Sequence, residues 1–282
     1  MKVFDKISDI KQEIKKLKQQ GKSVGFVPTM SFLHEGHISL VKKSKAENDI
    51  TVVSIFVNPT QFGAGEDFET YPKNMGKDSA LLTEAGVDFL FTPTAAEMYP
   101  QGFATSVSVS GITEVLCGKS RHGHFDGVAQ VVTKLLNIAN PDRAYFGMKD
   151  YQQLMVIKRM VADMNMNVEI IGAPIVREAD GLAKSSRNVY LQGEERKSAL
   201  CLSRSFALVY EALEGGETNV SEIKNLITNF INDHSHTKID YIEFVHPETL
   251  EPVEKLNEDF LLALAVYVGK ARLIDNNIFK VK

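Results

Sequence analysis

The chain has 282 residues, 44% of them hydrophobic, and its 32 lysines and arginines against 36 aspartates and glutamates give a net charge of −4. This size and composition predict one large or two modest folded domains and exclude wholesale disorder. The lack of a basic excess argues against nucleic acid as a standing partner.

Helix and strand patterns alternate through the first part of the chain. A helix is predicted over residues 8–20, with Ser8 as its cap and Gly21 as its end. Apolar, β-branched runs of the kind that form strands buried on both faces follow at residues 23–27, 50–57, 87–91, 144–146 and 168–176. Helical patterns separate several of them, at residues 38–48, 79–86, 128–139 and 151–164. This alternation predicts an α/β fold with a doubly wound, Rossmann-like parallel sheet.

The pattern changes after about residue 176. One long helix is predicted over residues 194–214, ended by Gly215 and Gly216, and a second over residues 220–232. Strand patterns follow at 239–245 and 261–268. Two helices and then two strands predict a second, smaller α+β domain, so we expect domains over residues 1–175 and 176–282.

Three features of the sequence bear on its location. The stretch MKVFDKISDIKQE is charged and lacks the apolar segment of a signal peptide. The apolar run that starts at Phe260 is too short to cross a membrane. Cys117 and Cys201 have no metal-binding spacing and are compatible with a reducing compartment. We therefore expect a cytoplasmic protein without a membrane partner.

The stretch VPTMSFLHEGHISL, residues 27–40, connects a predicted strand to a helix. Gly36 lets backbone approach a ligand closely, and the amides of a helix that starts near His37 favour a phosphate. His34 and His37 are three residues apart, so both can donate to a phosphoryl group. A capping pair and a zinc site are the alternatives, although no third soft ligand is nearby.

Two further segments carry groups that suit a nucleotide. In GMKDYQQL, residues 147–154, Lys149 is a cation, Asp150 can accept from ribose hydroxyls and Gln153 presents an amide; a solvated turn with a capping aspartate is the alternative. LAKSSRN, residues 182–188, groups cations and hydroxyls that suit β- and γ-phosphates, although such loops are also common on surfaces.

A fourth segment, SIFVNPTQFG, residues 54–63, contains the end of the strand predicted at residues 50–57 and the loop after it. Its polar residues Asn58 and Gln61 stand at the end of that strand. Amides in this position can orient a small polar substrate, or they can satisfy the backbone of the loop.

Together these motifs form a constellation. An HxGH motif near the first strand and a basic KSxR loop downstream resemble the nucleotidyltransferase superfamily, which includes the class I aminoacyl-tRNA synthetases and binds ATP between two such loops. VPTM...LHEGH, VVSIFVNPTQF, HFDGV with VVTKLLNI, YFGMKDYQQL, SSRN, HPETLEPV and AVYVGKARLIDN resemble the pantoate–β-alanine ligase family over essentially the entire chain.

That resemblance implies ATP-dependent ligation of pantoate to β-alanine through a pantoyl adenylate. It further implies Mg²⁺, a homodimer, and a C-terminal domain that closes over the ATP site. His34, His37 and Lys149 are implied as the catalytic residues. The implied ATP-binding residues are Pro28, Met30, His34, Gly36, His37, Gly147, Met148, Lys149, Asp150, Val176, Lys184, Ser185, Ser186 and Arg187. Met30, Gln61 and Gln153 are implied for pantoate and Gln61 for β-alanine, whereas no metal ligand is assigned.

The chain departs from the pattern of the family at several positions. Ser31 and Phe32 stand where the family usually has Gly-Ala, and Lys184 stands where it has methionine or leucine. Met148 replaces a common glutamate and His122 a common proline. These departures bear on affinity more than on reaction type, because no residue that the chemistry needs is lost.

Two alternatives remain open at this point. One is another nucleotidyltransferase of the superfamily, which would release a stable nucleotide product. The other is an ATP-binding module without turnover. A tRNA synthetase would need an anticodon-binding region and more basic surface than this chain has. Arg121 and His124 belong to a flanking basic segment to which no role is assigned.

Overall fold

A computed structural model describes residues 1–281 and divides the chain into two compact units. The first comprises residues 1–110, 121–148 and 153–174, and the second comprises residues 111–120, 149–152 and the chain from 175 onward. Two short segments, 111–120 and 149–152, thus belong to the second unit although the predicted boundary assigns them to the first domain. The boundary between residues 175 and 176 stays a proposal.

The first unit is built on a parallel sheet. Its strands are β1 (Lys2–Phe4), β2 (Val24–Thr29), β3 (Ile50–Ile55), β4 (Phe89–Phe91), β5 (Arg143–Gly147) and β6 (Glu169–Ala173), in the order β1-β4-β3-β2-β5-β6. The chain runs outward from β2 through β3 to β4 and then returns to β5 on the other side of β2. The predicted doubly wound parallel sheet is confirmed, and its strand order reverses between β2 and β5. Ligands bind beyond the carboxyl ends of the strands at such a point.

Ten α-helices lie within the described residues. They are α1 (Ile7–Gln19), α2 (Glu35–Glu47), α3 (Met75–Glu84), α4 (Ala95–Met98), α5 (Leu116–Ser120), α6 (His124–Ala139), α7 (Tyr151–Asp163), α8 (Gly193–Ser198), α9 (Cys201–Glu214) and α10 (Val220–Asn232). Short 3₁₀ helices cover Pro59–Gln61, Met148–Asp150 and Ser186–Tyr190. Within residues 1–281 no helix is long and apolar enough to cross a membrane.

The second unit contains an antiparallel sheet of β7 (Thr237–Val245), β8 (Phe260–Val268) and β9 (Ala271–Phe279), in that order. Every residue of the central strand β8 except Tyr267 is buried, and α9 and α10 contribute Phe206, Val209 and Ile227 to the same core. The predicted second α+β unit is confirmed, with one strand more than the sequence pattern indicated. Asp275 to Asn277 hide β9 because they interrupt its apolar pattern with three polar residues.

Two helix predictions are wrong in detail. Ser8 is not the cap of α1: the helix begins at Ile7, whose N–H donates to Glu97 Oε1 at 3.0 Å, so a distant residue replaces the local cap. The long helix predicted over residues 194–214 is two helices, α8 and α9, which are separated at the buried pair Ala199 and Leu200. The short edge strand β1 was not predicted, since three residues are too few for a pattern.

Candidate active site

In the first unit, the carboxyl ends of β2 and β5 lie at one edge of the sheet. Phe26 of β2 pairs in parallel with Ala144 of β5. The residues that follow these two strands are therefore neighbours at that edge: the turn of residues 30–34 after β2, and Gly147 with Met148 at the end of β5. Pro28 lies within β2 itself, in register with Ser54 of β3.

His34 and His37 form the N-terminal turn of α2. His34 is the N-cap residue, and its Nδ1 accepts the N–H of Gly36 at 3.1 Å. Nδ1 of His37 accepts the N–H of His34 at 3.3 Å, and the two ring centroids are 4.1 Å apart. Because each Nδ1 accepts a hydrogen bond, each Nε2 carries a hydrogen and is a donor. Two donors thus stand at the positive end of a helix, a place that favours an anion.

Asp78 holds the turn that precedes these histidines. Ser31 and Phe32 have φ angles of 87° and 54°, a region that side chains other than glycine adopt at a cost. The buried carboxylate of Asp78 accepts from Ser31 Oγ at 2.6 Å and from the N–H groups of Phe32 and Leu33, both at 2.8 Å. These bonds compensate for the strained turn at Ser31 and Phe32.

Gln61 lies beside Met30, another residue that is predicted to bind pantoate. Nε2 of Gln61 donates to Met30 Sδ at 3.0 Å, and its Oε1 accepts from Asn58 Nδ2 at 3.2 Å. Asn58 is buried, and its Oδ1 accepts from Tyr99 Oη at 2.9 Å. The loop after β3 therefore presents a buried amide at a stable position.

In the second unit, Lys149 and Asp150 belong to a short 3₁₀ helix that leads into α7. Nδ2 of Asn276, on β9, donates to the Lys149 carbonyl at 2.8 Å. The buried side chain of Gln152 bonds the segment before α5: its Nε2 donates to the carbonyls of residues 112 and 115, and its Oε1 accepts the N–H of Cys117 at 2.9 Å. Asn276 and Gln152 thus position Lys149 and its neighbours.

The basic loop at residues 182–188 pairs with the segment that follows β6. The N–H of Lys184 donates to the Val176 carbonyl at 2.9 Å. Ser185 caps the 3₁₀ helix Ser186–Tyr190, because its Oγ accepts the N–H of Arg187 at 3.2 Å. Arg177 binds both carboxylate oxygens of the buried Asp275, at 2.7 and 3.0 Å. Burial raises the pKa of Asp275, against the opposing effect of Arg177.

The structure brings some of the predicted residues together and assigns others to different units. Met30, His34, Gly36, His37 and Gln61 lie in the first unit, as do Gly147, Met148 and Gln153. Lys149, Asp150, Val176 and residues 184–187 lie in the second. The residues that hold these groups, namely Asp78, Gln152, Arg177, Asp275 and Asn276, were not among the predicted site residues. Asp275 and Asn276 left no usable signal in the sequence, because the polar residues that bind these groups also conceal the strand that carries them.

Comparisons with known proteins agree over the whole chain. The sequence model described as pantoate–β-alanine ligase matches residues 2–278. Pantothenate synthetases of Caldicellulosiruptor saccharolyticus and Acetivibrio thermocellus are 58% and 56% identical to this chain over 281 residues, and each alignment covers 100% of both chains.

Solved structures give the same result. The pantothenate synthetase of Thermus thermophilus superposes with a TM-score of 0.93 at 45% identity, over 98% of this chain and 99% of the other. The ligase of Francisella tularensis, in a structure described as a complex with β-γ ATP and β-alanine, has a TM-score of 0.80 at 40% identity, over 99% and 97%. The chain therefore belongs to the pantoate–β-alanine ligase family.

Proposed function

We propose that this chain makes pantothenate in two half-reactions. In the first, a carboxylate oxygen of pantoate attacks the α-phosphorus of ATP, and pyrophosphate leaves. In the second, the amine of β-alanine attacks the acyl carbon of the pantoyl adenylate, and AMP leaves as the amide forms and the amine loses a proton. Family membership over residues 2–278 supports the overall ligation, and the paired histidines at the start of α2 carry the assignment of the chemistry to this site.

His34 and His37 act on the first half-reaction. Both present an Nε2–H donor at the N-terminus of α2, as their Nδ1 contacts require. Negative charge grows on the α-phosphate in the transition state, and pre-oriented donors in such a position stabilise it. His37 is the principal donor in this proposal. Lys149 adds a cation for the phosphates. The partial positive charge at the N-terminus of α2, where Gly36 lets the backbone approach a ligand, favours a phosphate.

The remaining predicted residues bind the substrates. Gln61 and Gln153, with Met30 beside Gln61, hold pantoate, and Gln61 also contacts β-alanine. Gly147 and Asp150 hold the ribose of ATP, with Met148 between them, and the backbone of Val176 binds the adenine. The basic loop binds the β- and γ-phosphates through Lys184, Ser185, Ser186 and Arg187. Pro28 shapes the wall of the site from within β2.

Mg²⁺ is the implied metal, and we propose that it enters with the phosphates of ATP. Within residues 1–281 no group of three or more histidines, cysteines, aspartates or glutamates could form a protein cage for it. Asp78 does not fit the role of ligand, because protein donors already bind both of its oxygens. Mg²⁺ often binds through substrate phosphates with few protein ligands. No step here is assigned to a protein-held metal.

A homodimer in the cytoplasm completes the proposal. The resemblance to the family supports the homodimer. The two free cysteines, Cys117 and Cys201, are compatible with a reducing compartment such as the cytoplasm. Sedimentation equilibrium would test the dimer: a mass near 31.3 kDa, that of a single chain, at all concentrations would exclude it.

Isotope exchange between pyrophosphate and ATP tests the first half-reaction. We expect exchange only when pantoate is present, and AMP release only after β-alanine is added. Exchange without pantoate would indicate another nucleotidyltransferase, whereas ATP binding without any exchange would indicate a non-catalytic module. β-Alanine alone, which has a carboxylate but is not the acid activated, is the matched control and should not support exchange.

A further inference from the structure

The first turn of α6 contacts the loop that carries Gln61 at three points. His124 Nδ1 lies 2.8 Å from the carbonyl oxygen of Gln61. Asn58 Nδ2 donates to the Gly127 carbonyl at 3.0 Å. A Cβ atom on Gly127 would lie only 2.3 Å from the carbonyl oxygen of Thr60, so glycine lets the helix touch the loop backbone. The first turn of α6 therefore fixes the position of the Gln61 backbone.

The contacts of His124 determine which ring nitrogen carries its hydrogen. Nη1 of Arg121, which can only donate, lies 3.0 Å from Nε2 of His124. The Gln61 carbonyl, which can only accept, lies beside Nδ1. Both contacts are hydrogen bonds only in the neutral ring that has its hydrogen on Nδ1. His124 thus accepts from Arg121 and donates to Gln61.

Arg121 is itself held in place by Glu66. Nε of Arg121 donates to Oε1 of Glu66 at 2.7 Å, and Nη2 donates to Oε2 at 2.6 Å. Burial disfavours the charge on Glu66, but the hydrogen bonds and charge of Arg121 outweigh it, so the pKa of Glu66 is lowered. Two parallel bonds orient the guanidinium plane, which leaves Nη1 facing His124.

The backbone of Gln61 is held more firmly than its side chain. The side chain has a weak N–H···S contact to Met30 and a 3.2 Å bond to Asn58, whereas its carbonyl has the 2.8 Å contact to His124. A change in the backbone orientation of residue 61 would swing the amide away from both neighbours. The contact with His124 is therefore the one best suited to set where the amide points.

We propose that His124, oriented by the pair of Arg121 and Glu66, is a positioning residue for pantoate and β-alanine. It acts through Gln61 and does not touch either substrate. The inference rests on the proposed function, because it takes Gln61 as the residue that binds both.

Two replacements of His124 separate its two hydrogen bonds. The amide nitrogen of asparagine can occupy the place of Nδ1, so His124→Asn keeps a donor for Gln61 and loses the acceptor for Arg121. The amide of glutamine reaches the place of Nε2, so His124→Gln keeps the acceptor and loses the donor. We expect His124→Gln to raise KM for pantoate and for β-alanine about tenfold, the size expected for the loss of one part-buried hydrogen bond. His124→Asn should stay within about threefold, and KM for ATP should not change in either variant.

Melting temperatures and pantoate binding by calorimetry accompany the kinetics. Should His124→Gln fail to fold, Glu66→Gln is the second variant, because it weakens the bonds that orient Arg121 without changing His124. It should raise KM for pantoate and for β-alanine less than His124→Gln does, and it should leave KM for ATP unchanged. Equal effects of the two His124 variants, an equal rise in KM for ATP, or no change at all would overturn the inference.

Gln61→Ala separates the inference from its premise. We expect it to raise KM for pantoate and β-alanine more than any His124 variant does. If Gln61→Ala leaves both values unchanged, the assignment of Gln61 fails and the inference fails with it. If Gln61→Ala is impaired and His124→Gln is normal, only the inference fails.

Discussion

Replacing Gly127 with alanine puts a methyl group where the backbone of residues 60 and 61 already lies. An ideal Cβ at Gly127 would be 2.3 Å from the carbonyl oxygen and 2.5 Å from the carbonyl carbon of Thr60, and 2.6 Å from Cα of Gln61. Contacts between non-bonded heavy atoms are favourable at about 3.5–4.0 Å, so the helix and the loop must separate by roughly 1 Å. The obstacle is backbone on both sides, which no change of rotamer can relieve.

The expected magnitude follows from two opposing terms. Glycine to alanine in the interior of a helix stabilises it by about 1 kcal/mol. Overpacking costs about 1–3 kcal/mol, and separation also weakens the bond from Asn58 to the Gly127 carbonyl, worth about 1 kcal/mol. We expect a net loss of about 1–3 kcal/mol, or a fall in Tm of several degrees by calorimetry. KM for pantoate should rise as well, because Gln61 moves with the loop.

Gly76→Ala is the matched control for Gly127→Ala. Gly76 also lies in a helix, α3, and its Cβ would have only Asn74 Oδ1 within 4 Å, at 3.9 Å. It should be neutral or slightly stabilising, with unchanged KM values. A Gly127→Ala variant as stable as the Gly76→Ala variant, with a normal KM for pantoate, would refute the reasoning that α6 fixes the loop by direct contact.

Three further outcomes test the proposed site. His37→Ala should slow pantoate-dependent exchange about 10²–10³-fold in single turnover while ATP binding stays nearly unchanged; an equal loss of ATP affinity with a normal rate would mark His37 as a structural cap. Lys184→Met should raise the Kd of a non-hydrolysable ATP analogue several-fold at low salt and less at high salt, whereas unchanged affinity at both would show that this ammonium does not contact the phosphates. Asp78→Ala should lower the free energy of unfolding by at least about 2 kcal/mol, because Ser31 and two buried N–H groups lose their acceptor; a denaturation curve with an unchanged midpoint would contradict that role.

The architecture was accessible from the sequence because buried parallel strands and amphipathic helices leave periodic patterns. Apart from the short strand β1, the strands of the first sheet, β2 to β6, lie where those patterns predict them. Helix α10 has the predicted bounds. Two of the failures share a physical cause: a partner far along the chain decided the outcome. Glu97 caps α1 from 90 residues away, and the polar residues of β9 are tolerated because Arg177 and the carbonyl of Lys149 pair with them.

The same distinction between local patterns and distant partners applies to the residues of the candidate site. The residues proposed to act on the substrates directly, such as His34, His37 and Gln61, stand in short motifs that can be recognised in the sequence. Asp78 and His124 act at a distance of 45 and 63 residues along the chain, on Leu33 and Gln61 respectively. Their function consists in where they put another residue, and no local pattern encodes that. Ser31 illustrates the consequence: its left-handed φ looks like a defect in isolation, yet its hydroxyl donates to the carboxylate of Asp78, which holds the turn. A strained residue can thus be understood only together with the residue that compensates for it.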